Sequence, residues 1–245
     1  MYAPNLDIFG SISLDDMNQV ALMKRTDTKF LINTARLSDI LDEVKSDYQI
    51  LQIGQDRLMS YESLYFDTDK LKFYHMHHNG VAKRVKVRTR KYMESDLSFL
   101  EIKQKDSYGD TVKKRIKIDE YSKPDHQQFS GFVEQVLGRP LPLHKTLKNS
   151  FNRFTLVNTS LNERVTVDVN VQFDEEPLSQ KIAIIELKQE RLNRHSPIFQ
   201  ALKKYGVHPY GFSKYCIGLA SRRSDLKQNL FKAKFLKINR LTTTK

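Results

Sequence analysis

Cysteine is almost missing from this chain of 245 residues, in which Cys216 is the single example. One thiol excludes an internal disulfide and a zinc cluster of cysteines, so we expect a reducing compartment. The chain also lacks an apolar run long enough to span a bilayer, and it lacks a basic start followed by an apolar stretch. We therefore expect a cytoplasmic protein without a transmembrane segment.

Two kinds of catalytic motif are missing as well. No glycine-rich phosphate loop and no nucleophile elbow occurs in the sequence, so any phosphate would have to be bound by side chains. His75, His77 and His78 cluster in a predicted helix, but no cysteine or carboxylate nearby completes a ligand set. We do not expect a metal ion there.

Positive charge is abundant: 41 lysines and arginines against 29 acidic residues give a net charge of +12. Such an excess implies an acidic partner, which can be nucleic acid, anionic lipid, or a phosphorylated small molecule or polymer. Aromatic residues are scarce between the basic ones, whereas a nucleic-acid surface would use them as stacking platforms. We therefore expect no nucleic acid.

Residues 81–92, VAKRVKVRTRKY, show the most informative pattern. Read as a strand, they place valines on one face and Arg84, Lys86, Arg88 and Arg90 on the other. A charged strand face is commonly just solvated. Here, however, further segments repeat the pattern, with ionic residues opposite an apolar face: Glu101, Lys103 and Lys105; Lys113, Arg115 and Lys117; Arg164, Thr166 and Asp168; Glu186 and Lys188.

When several strands each have one ionic face, the fold must determine where those ionic faces lie. A sheet closed into a barrel, with helices outside, buries the apolar faces under the helices and turns the charges inward. The resulting lumen would be cationic with a few carboxylates, which suits a polyanion that carries a metal.

The sequence favours one α+β domain. We assign residues 1–23 to a loose lead-in and a helix, residues 24–220 to the main domain, and residues 221–245 to a basic tail with an amphipathic helix over 225–238. Further helices are predicted near 34–44, 69–79, 123–137 and 196–205, and strands near 24–32, 48–53, 58–68, 81–93, 97–106, 110–119, 151–158, 164–173 and 181–188. GFSKYCIGLA, which follows, fits either a strand or a packed helix.

Nine motifs in order resemble a known family. RTDTKF, SLYFDT, VRTRKY, FLEIKQK, VKKRI, FNRF, TVDVN, IIELK and FSK are similar to those of the VTC domain, the polyphosphate polymerase domain of the vacuolar transporter chaperone complex. The resemblance covers about residues 24–219. It implies an eight-stranded antiparallel β-barrel, the triphosphate tunnel, with helices packed outside. The E-x-E-x-K pattern of the related CYTH phosphatases is replaced here by TDTKF.

The resemblance also implies roles for individual residues. The catalytic set would be Arg88, Arg90, Lys103, Arg153 and Lys214, and phosphate binding would add Lys29, Lys86, Lys113, Arg115 and Lys188. Glu186 matches the carboxylate that holds a divalent cation, Mn²⁺ or Mg²⁺, with Glu101 as a second ligand and Asp168 as a further helper.

Purely structural or solvent-exposed roles are also compatible with three of these residues. Lys113 can be a solvated hairpin charge, and Glu101 can simply form an ion pair with a neighbouring cation. Asp168 can pair with the residues around Arg164 and only hold the barrel together. SLYFDT reads as a packing and turn element rather than as chemistry.

Three functions remain open from the sequence. The first is a metal-dependent polymerase that transfers the γ-phosphate of ATP to inorganic polyphosphate and releases ADP. The second is a hydrolase of inorganic triphosphate, nucleoside triphosphate or polyphosphate in the same tunnel, and the third is a polyanion binder without catalysis. Glu186 argues against the third, because a pure anion binder gains nothing from a carboxylate among its cations. If the product must cross a membrane, a separate membrane partner is needed.

Overall fold

The computed structural model describes residues 1–19, 25–108 and 110–243. Strands in these residues are β1 Gly10–Ile12, β2 Thr26–Asn33, β3 Gln49–Leu51, β4 Met59–Asp67, β5 Arg84–Tyr92, β6 Leu97–Lys105, β7 Thr111–Ile118, β8 His144–Asn158, β9 Glu163–Phe173, β10 Glu176–Pro177 and β11 Ile182–Gln189. The α-helices are α1 Leu14–Gln19, α2 Leu37–Val44, α3 Lys72–His78, α4 His126–Leu137, α5 Pro197–Lys204, α6 Lys214–Arg222 and α7 Lys232–Thr243. None of these helices has the length and apolarity needed to cross a bilayer.

Eight strands form one continuous antiparallel array in the order β2-β11-β9-β8-β4-β5-β6-β7. No pairing between described residues joins β2 to β7, the two ends of this array. An ion pair spans the seam instead, because Lys103 Nζ on β6 lies 3.9 Å from Asp27 Oδ2 on β2. The predicted eight-stranded tunnel is confirmed, with a seam that backbone hydrogen bonds do not close.

Strand alternation gives the sheet two chemically different faces. The outward side chains of β2, β9 and β11 are apolar and pack against α2 and α5, while those of β5 and β6 pack under α4. Phe30 against Phe199 and Ile102 in the cluster of Phe132 are examples of these contacts. The helices therefore cover the outside, and the ionic side chains are left on the inner face.

One helix, α6, fills an end of the tunnel. Its Tyr215 ring stacks on Tyr65, whose side chain shares the inner face with Arg88, at a centroid distance of 5.1 Å. A Cβ at Gly218 would come within 2.4 Å of Phe173 and 2.8 Å of Leu147, so only glycine permits this close approach. The helix begins where Ser213 accepts a hydrogen bond from the Cys216 amide. The ambiguous segment GFSKYCIGLA thus becomes a helix.

Three expectations differ from the structure in detail. The lead-in is not wholly loose, because β1 pairs in parallel with β3. Strand β8 begins at His144, seven residues before the predicted start, because β4 pairs with it along that length. The tail helix is α7, shifted toward the C-terminus relative to 225–238. The helix predicted within residues 1–23 is seen as α1, and the part of that range after residue 19 lies outside the described residues.

Candidate functional site: a tunnel lined by paired cations

The first cluster in the tunnel joins β5, β6 and β7. Arg88 donates two hydrogen bonds to Glu101 Oε2, from Nε at 2.8 Å and from Nη2 at 2.6 Å. Lys113 Nζ pairs with the other oxygen, Oε1. Glu101 is only 2% exposed, and both its oxygens are engaged by cations. The carboxylate therefore fixes Arg88 and Lys113 side by side.

The second cluster joins β8, β9 and α6. Arg153 donates two hydrogen bonds to the Asp168 carboxylate, from Nε to Oδ1 and from Nη2 to Oδ2. Lys214, in the first turn of α6, pairs with Asp168 Oδ2. The competing expectation placed Asp168 with the residues around Arg164. Its partners instead come from a neighbouring strand and from the helix that fills the tunnel end.

The third cluster lies on the paired strands β2 and β11. Glu186 is flanked by Lys29, which pairs with Oε1, and by Lys188, whose Nζ is 3.1 Å from Oε2. The two strands set Glu186 and Lys29 opposite each other in register. Because the Glu186 side chain is still 17% exposed, its carboxylate can be reached from the lumen.

The remaining predicted phosphate ligands share this inner face. Lys86 Nζ donates to Ser213 Oγ at 3.2 Å, and Arg90 Nε donates to Ser63 Oγ at 3.1 Å. Lys103 reaches Asp27 across the seam. Arg115 lies over the Phe99 ring at 4.6 Å and is exposed on β7, beside the seam. All ten cations predicted from the sequence thus lie on one side of the sheet.

An aromatic pair supports three of these cations. Tyr61 and Phe151 stack with their ring centroids 5.2 Å apart and their planes almost parallel, at 4°. The Phe151 ring lies 5.5 Å from Arg90, 5.2 Å from Arg153 and 4.2 Å from Lys214. Cations are attracted to the face of an aromatic ring, so this pair holds three positive groups around one apolar surface.

Burial and pairing shift the pKa values of these groups. Burial alone would raise the pKa of Asp168, but Arg153 and Lys214 outweigh it and hold that pKa well below its usual range. Burial alone would also raise the pKa of Glu101, but Arg88 and Arg90 outweigh it and lower that pKa. Burial lowers the pKa of Lys214 to about 8, although Asp168 offsets part of the effect. Burial likewise lowers the pKa of Lys113 to about 8, partly offset by Glu101.

Sequence reasoning missed several lining residues. Tyr61, Ser63 and Tyr65 alternate on β4 and face the tunnel, and Tyr65 Oη accepts a long hydrogen bond of 3.5 Å from Arg88. No ionic pattern marks these positions, and only their alternation could have placed them together. The remainder of SLYFDT does pack and turn, since Asp67 accepts the amides of Phe73 and Tyr74 at the start of α3.

Of the three acidic residues predicted for the metal, Glu186 is the most exposed, with 17% of its side chain accessible against 2% for Glu101 and 4% for Asp168. Hard cations such as Mg²⁺ and Mn²⁺ bind carboxylate oxygens and retain waters or substrate phosphates as their other ligands. In the part of the chain that the structure describes, no three His, Cys, Asp or Glu residues converge into a metal cage. A single carboxylate such as Glu186 therefore suits a cation whose other ligands are waters or a substrate.

Fold and site together define the class: an antiparallel β-tunnel of the triphosphate tunnel type, lined by cations. Residues 24–223 match the VTC domain family, and the chain belongs to that family. The resemblance carried by the nine motifs is thereby confirmed.

Solved structures share the fold at low sequence identity. A candidate adenylate cyclase from Bacillus halodurans superposes with a TM-score of 0.53 at 13% identity, covering 78% of this chain and 96% of its own. A candidate adenylyl cyclase from Hippeastrum, described as having a dominant triphosphatase activity, gives a TM-score of 0.51 at 15% identity, covering 82% and 97%. No curated protein matches in sequence.

Proposed function

We propose that this protein is a metal-dependent polyphosphate polymerase that transfers the γ-phosphate of ATP to a growing inorganic polyphosphate chain and releases ADP. The observation that carries the proposal is the convergence of ten lysines and arginines on one tunnel face with Glu186 among them. Membership of the VTC family supports the same activity. The proposed setting is the cytoplasm, with a separate membrane protein as partner if the product leaves it.

The tunnel cations would bind the triphosphate. The guanidinium groups of Arg88, Arg90 and Arg153 can each fork onto two phosphate oxygens, whereas Lys103 and Lys214 supply compact charges. Together they offset the roughly four negative charges of a triphosphate. Glu101 and Asp168 would not contact the phosphate themselves. They hold Arg88, Arg153 and Lys214 in position through ion pairs.

The transfer forms one bond and breaks one. A terminal oxygen of the polyphosphate chain bonds to the γ-phosphorus of ATP, while the bond from that phosphorus to the β–γ bridging oxygen breaks. The electron pair of the broken bond stays on ADP. Phosphoryl transfer of this kind depends on in-line positioning and on neutralisation of the developing charge, and it needs no protein nucleophile.

Glu186 is the residue that we propose for the metal. When bound, Mg²⁺ or Mn²⁺ neutralises charge on the phosphate oxygens. Lys29 pairs with Glu186 Oε1 and Lys188 with Oε2, so the metal would share the carboxylate with these two lysines. Glu101 stays a prediction as second ligand, and it can contact a cation only after giving up a bond to Arg88 or Lys113.

A triphosphatase is the second candidate, because one protein of the same fold is described as having dominant triphosphatase activity. Water would replace the polyphosphate oxygen as the attacking group, and phosphate would be released. Both reactions need the same cations, so the lining residues alone do not choose between them. A binder without catalysis is the third candidate.

One experiment separates the three. The purified protein is incubated with γ-labelled ATP and Mn²⁺ or Mg²⁺, with a metal-free reaction as control, and the products are resolved on a gel. A ladder of lengthening chains with matching ADP supports the polymerase. Free phosphate without chains identifies a hydrolase, and tight triphosphate binding without turnover identifies a binder.

A further inference from the structure

The inner face of the tunnel changes from cationic to aromatic toward the end opposite α6. On β4, Tyr65 lies against α6, and Tyr61 lies further from that helix on the same face. On β5, Lys86 donates to the residue that caps α6, and Tyr92 stands at the far end of the strand. Side chains at every second position of a strand share a face, so both tyrosines point into the tunnel. They line the end that α6 does not fill.

Tyr61, Tyr92 and Phe99 form one continuous row across β4, β5 and β6. Tyr61 and Tyr92 are opposite each other in register, and their ring centroids are 5.0 Å apart. The centroids of Tyr92 and Phe99 are 5.7 Å apart. Arg115 on β7 lies over the Phe99 ring at 4.6 Å. Direct contacts thus join these four residues into one surface, which we call the aromatic shelf.

The aromatic shelf is accessible in the part of the chain that the structure describes. None of its three rings is fully buried, and Arg115 is exposed. Leu97, which pairs with Tyr92 in register on the same face, is 38% exposed. A planar ligand can therefore reach the rings from this end of the tunnel.

The shelf begins where the predicted phosphate ligands end. Arg90 stands opposite Phe99 in register, and its guanidinium lies 5.5 Å from the centre of the Tyr61 ring. Tyr92 follows Arg90 on the same face of β5, and two residues of a strand span roughly 7 Å. A triphosphate held by Arg88 and Arg90 would therefore have the shelf directly beside it.

The nucleoside is the part of the proposed substrates whose chemistry matches the shelf. Inorganic polyphosphate is ionic along its whole length and has no apolar surface to place on aromatic rings. A nucleobase is planar, and it stacks on aromatic side chains and on the guanidinium plane of arginine. Tyr92, Phe99 and Arg115 supply both kinds of stacking partner.

We propose that Tyr92, Phe99 and Arg115 bind the nucleobase of ATP while the inner cations bind its triphosphate. This inference rests on the proposed function, because it takes the substrate of that reaction as its ligand. Its consequence is that the protein binds a nucleoside triphosphate more tightly than the same triphosphate without a base.

The test compares two ligands that differ only in the base, ATP and ribose 5-triphosphate. Calorimetry measures both affinities for the full chain in metal-free buffer, where the proposed transfer cannot proceed. The variants are Tyr92→Leu, Phe99→Leu and Tyr92→Phe, the last of which keeps the ring. Tyr108→Leu is the matched control, because this tyrosine is 93% exposed in the turn between β6 and β7. Circular dichroism checks folding, and the comparison of ligands on the wild type needs no variant.

We expect the wild type to bind ATP roughly tenfold more tightly than ribose 5-triphosphate, which is the usual worth of one stacked base. Tyr92→Leu and Phe99→Leu should each remove most of this preference by weakening ATP alone. Tyr92→Phe and Tyr108→Leu should bind ATP within about twofold of wild type, because the first keeps the stacking ring and the second lies outside the shelf.

Four results would overturn the inference. Equal affinities of the wild type for the two ligands would show that the base is not bound, and the proposed function would survive. Equal weakening of both ligands by Tyr92→Leu and Phe99→Leu would mean that the rings only support Arg90. A loss in Tyr92→Phe as large as in Tyr92→Leu would assign recognition to the hydroxyl group, and an equal loss in Tyr108→Leu would remove the link to the shelf. Binding of neither ligand by the wild type would overturn the proposed function as well.

Discussion

The guanidinium of Arg153 binds the carboxylate of Asp168 with two hydrogen bonds, Nε to Oδ1 at 2.5 Å and Nη2 to Oδ2 at 2.9 Å. Lys214 shares the same carboxylate. One buried anion therefore holds together a strand cation and the first turn of the helix that fills the tunnel end.

Asp168→Asn should destabilise the empty protein by about 3 kcal/mol, because two buried cations lose their counter-charge. Tripolyphosphate should restore part of this loss, so the ligand should raise the thermal midpoint more in the variant than in the wild type. Calorimetric unfolding with and without ligand measures both effects. An unchanged free energy of unfolding would show that the pair contributes no net stability.

Gly218→Ala tests the close contact between α6 and the sheet. The new methyl group would meet Phe173 and Leu147, and overpacking of this kind costs about 1–3 kcal/mol. Gly131→Ala in α4 is the matched control, since nothing lies within 4 Å of a Cβ there. That control should be neutral or stabilising, by up to about 1 kcal/mol. Urea unfolding of the two variants gives the comparison, and equal stabilities would contradict the packing.

Phe151→Leu tests the aromatic support of Arg90, Arg153 and Lys214. Loss of the ring should cost about 1–2 kcal/mol of triphosphate binding, so KM for ATP should rise roughly tenfold, with a smaller change in kcat. Phe129→Leu removes an outer ring that packs on Phe66 and should leave KM unaltered. A KM equal to that of wild type in Phe151→Leu would show that the ring only fills space.

Glu186→Gln should lower turnover at least about a hundredfold, because the metal contributes several kcal/mol of charge stabilisation in the transition state. Triphosphate binding without metal should persist, and added Mn²⁺ should no longer strengthen it. Glu62→Gln is the control, since Glu62 lies on the outer face beside Tyr121 and Lys148. Full activity in Glu186→Gln would disprove the metal assignment.

The pH dependence follows from Lys214 and Lys113, whose pKa values burial lowers to about 8. A bound polyanion favours the charged lysines, so binding at pH 8 should take up protons and should weaken as the pH rises further. For the empty protein, the unfolded chain binds more protons between about pH 8 and 10, so these two groups make unfolding less favourable as the pH rises there. Calorimetry in buffers of different ionisation enthalpy measures the uptake. Lys214→Met should reduce it, and an identical uptake would assign the protons elsewhere.

The strands and their inner faces could be predicted because alternation is local. Arg84, Lys86, Arg88 and Arg90 must share a face whenever residues 84–92 are extended, whatever the rest of the chain does. The same argument placed Glu186 and Lys188 together on β11. The ends of helices were harder to predict than the faces of strands, as the shift of the tail helix shows. Where a helix is only weakly amphipathic, tertiary contacts determine its ends.

The ion-pair and stacking partners of the tunnel residues could not be predicted from the sequence. Asp168 finds Arg153 across a strand pair and Lys214 from a helix 46 residues further on, and no local pattern encodes either contact. Tyr61 and Phe151 look like ordinary core residues in sequence, and only the pairing of β4 with β8 stacks them under the cations.

By itself, then, the sequence determined which side chains face inward and that their charge is overwhelmingly positive, because the two-residue period of a strand is a property of the backbone. Only the tertiary structure decided which cations pair with carboxylates, as Arg88, Arg153 and Lys214 do, and which donate to hydroxyls, as Lys86 and Arg90 do. Ion pairing depends on distances between segments far apart in the chain, and those distances exist only after the sheet has curled and α6 has entered its end.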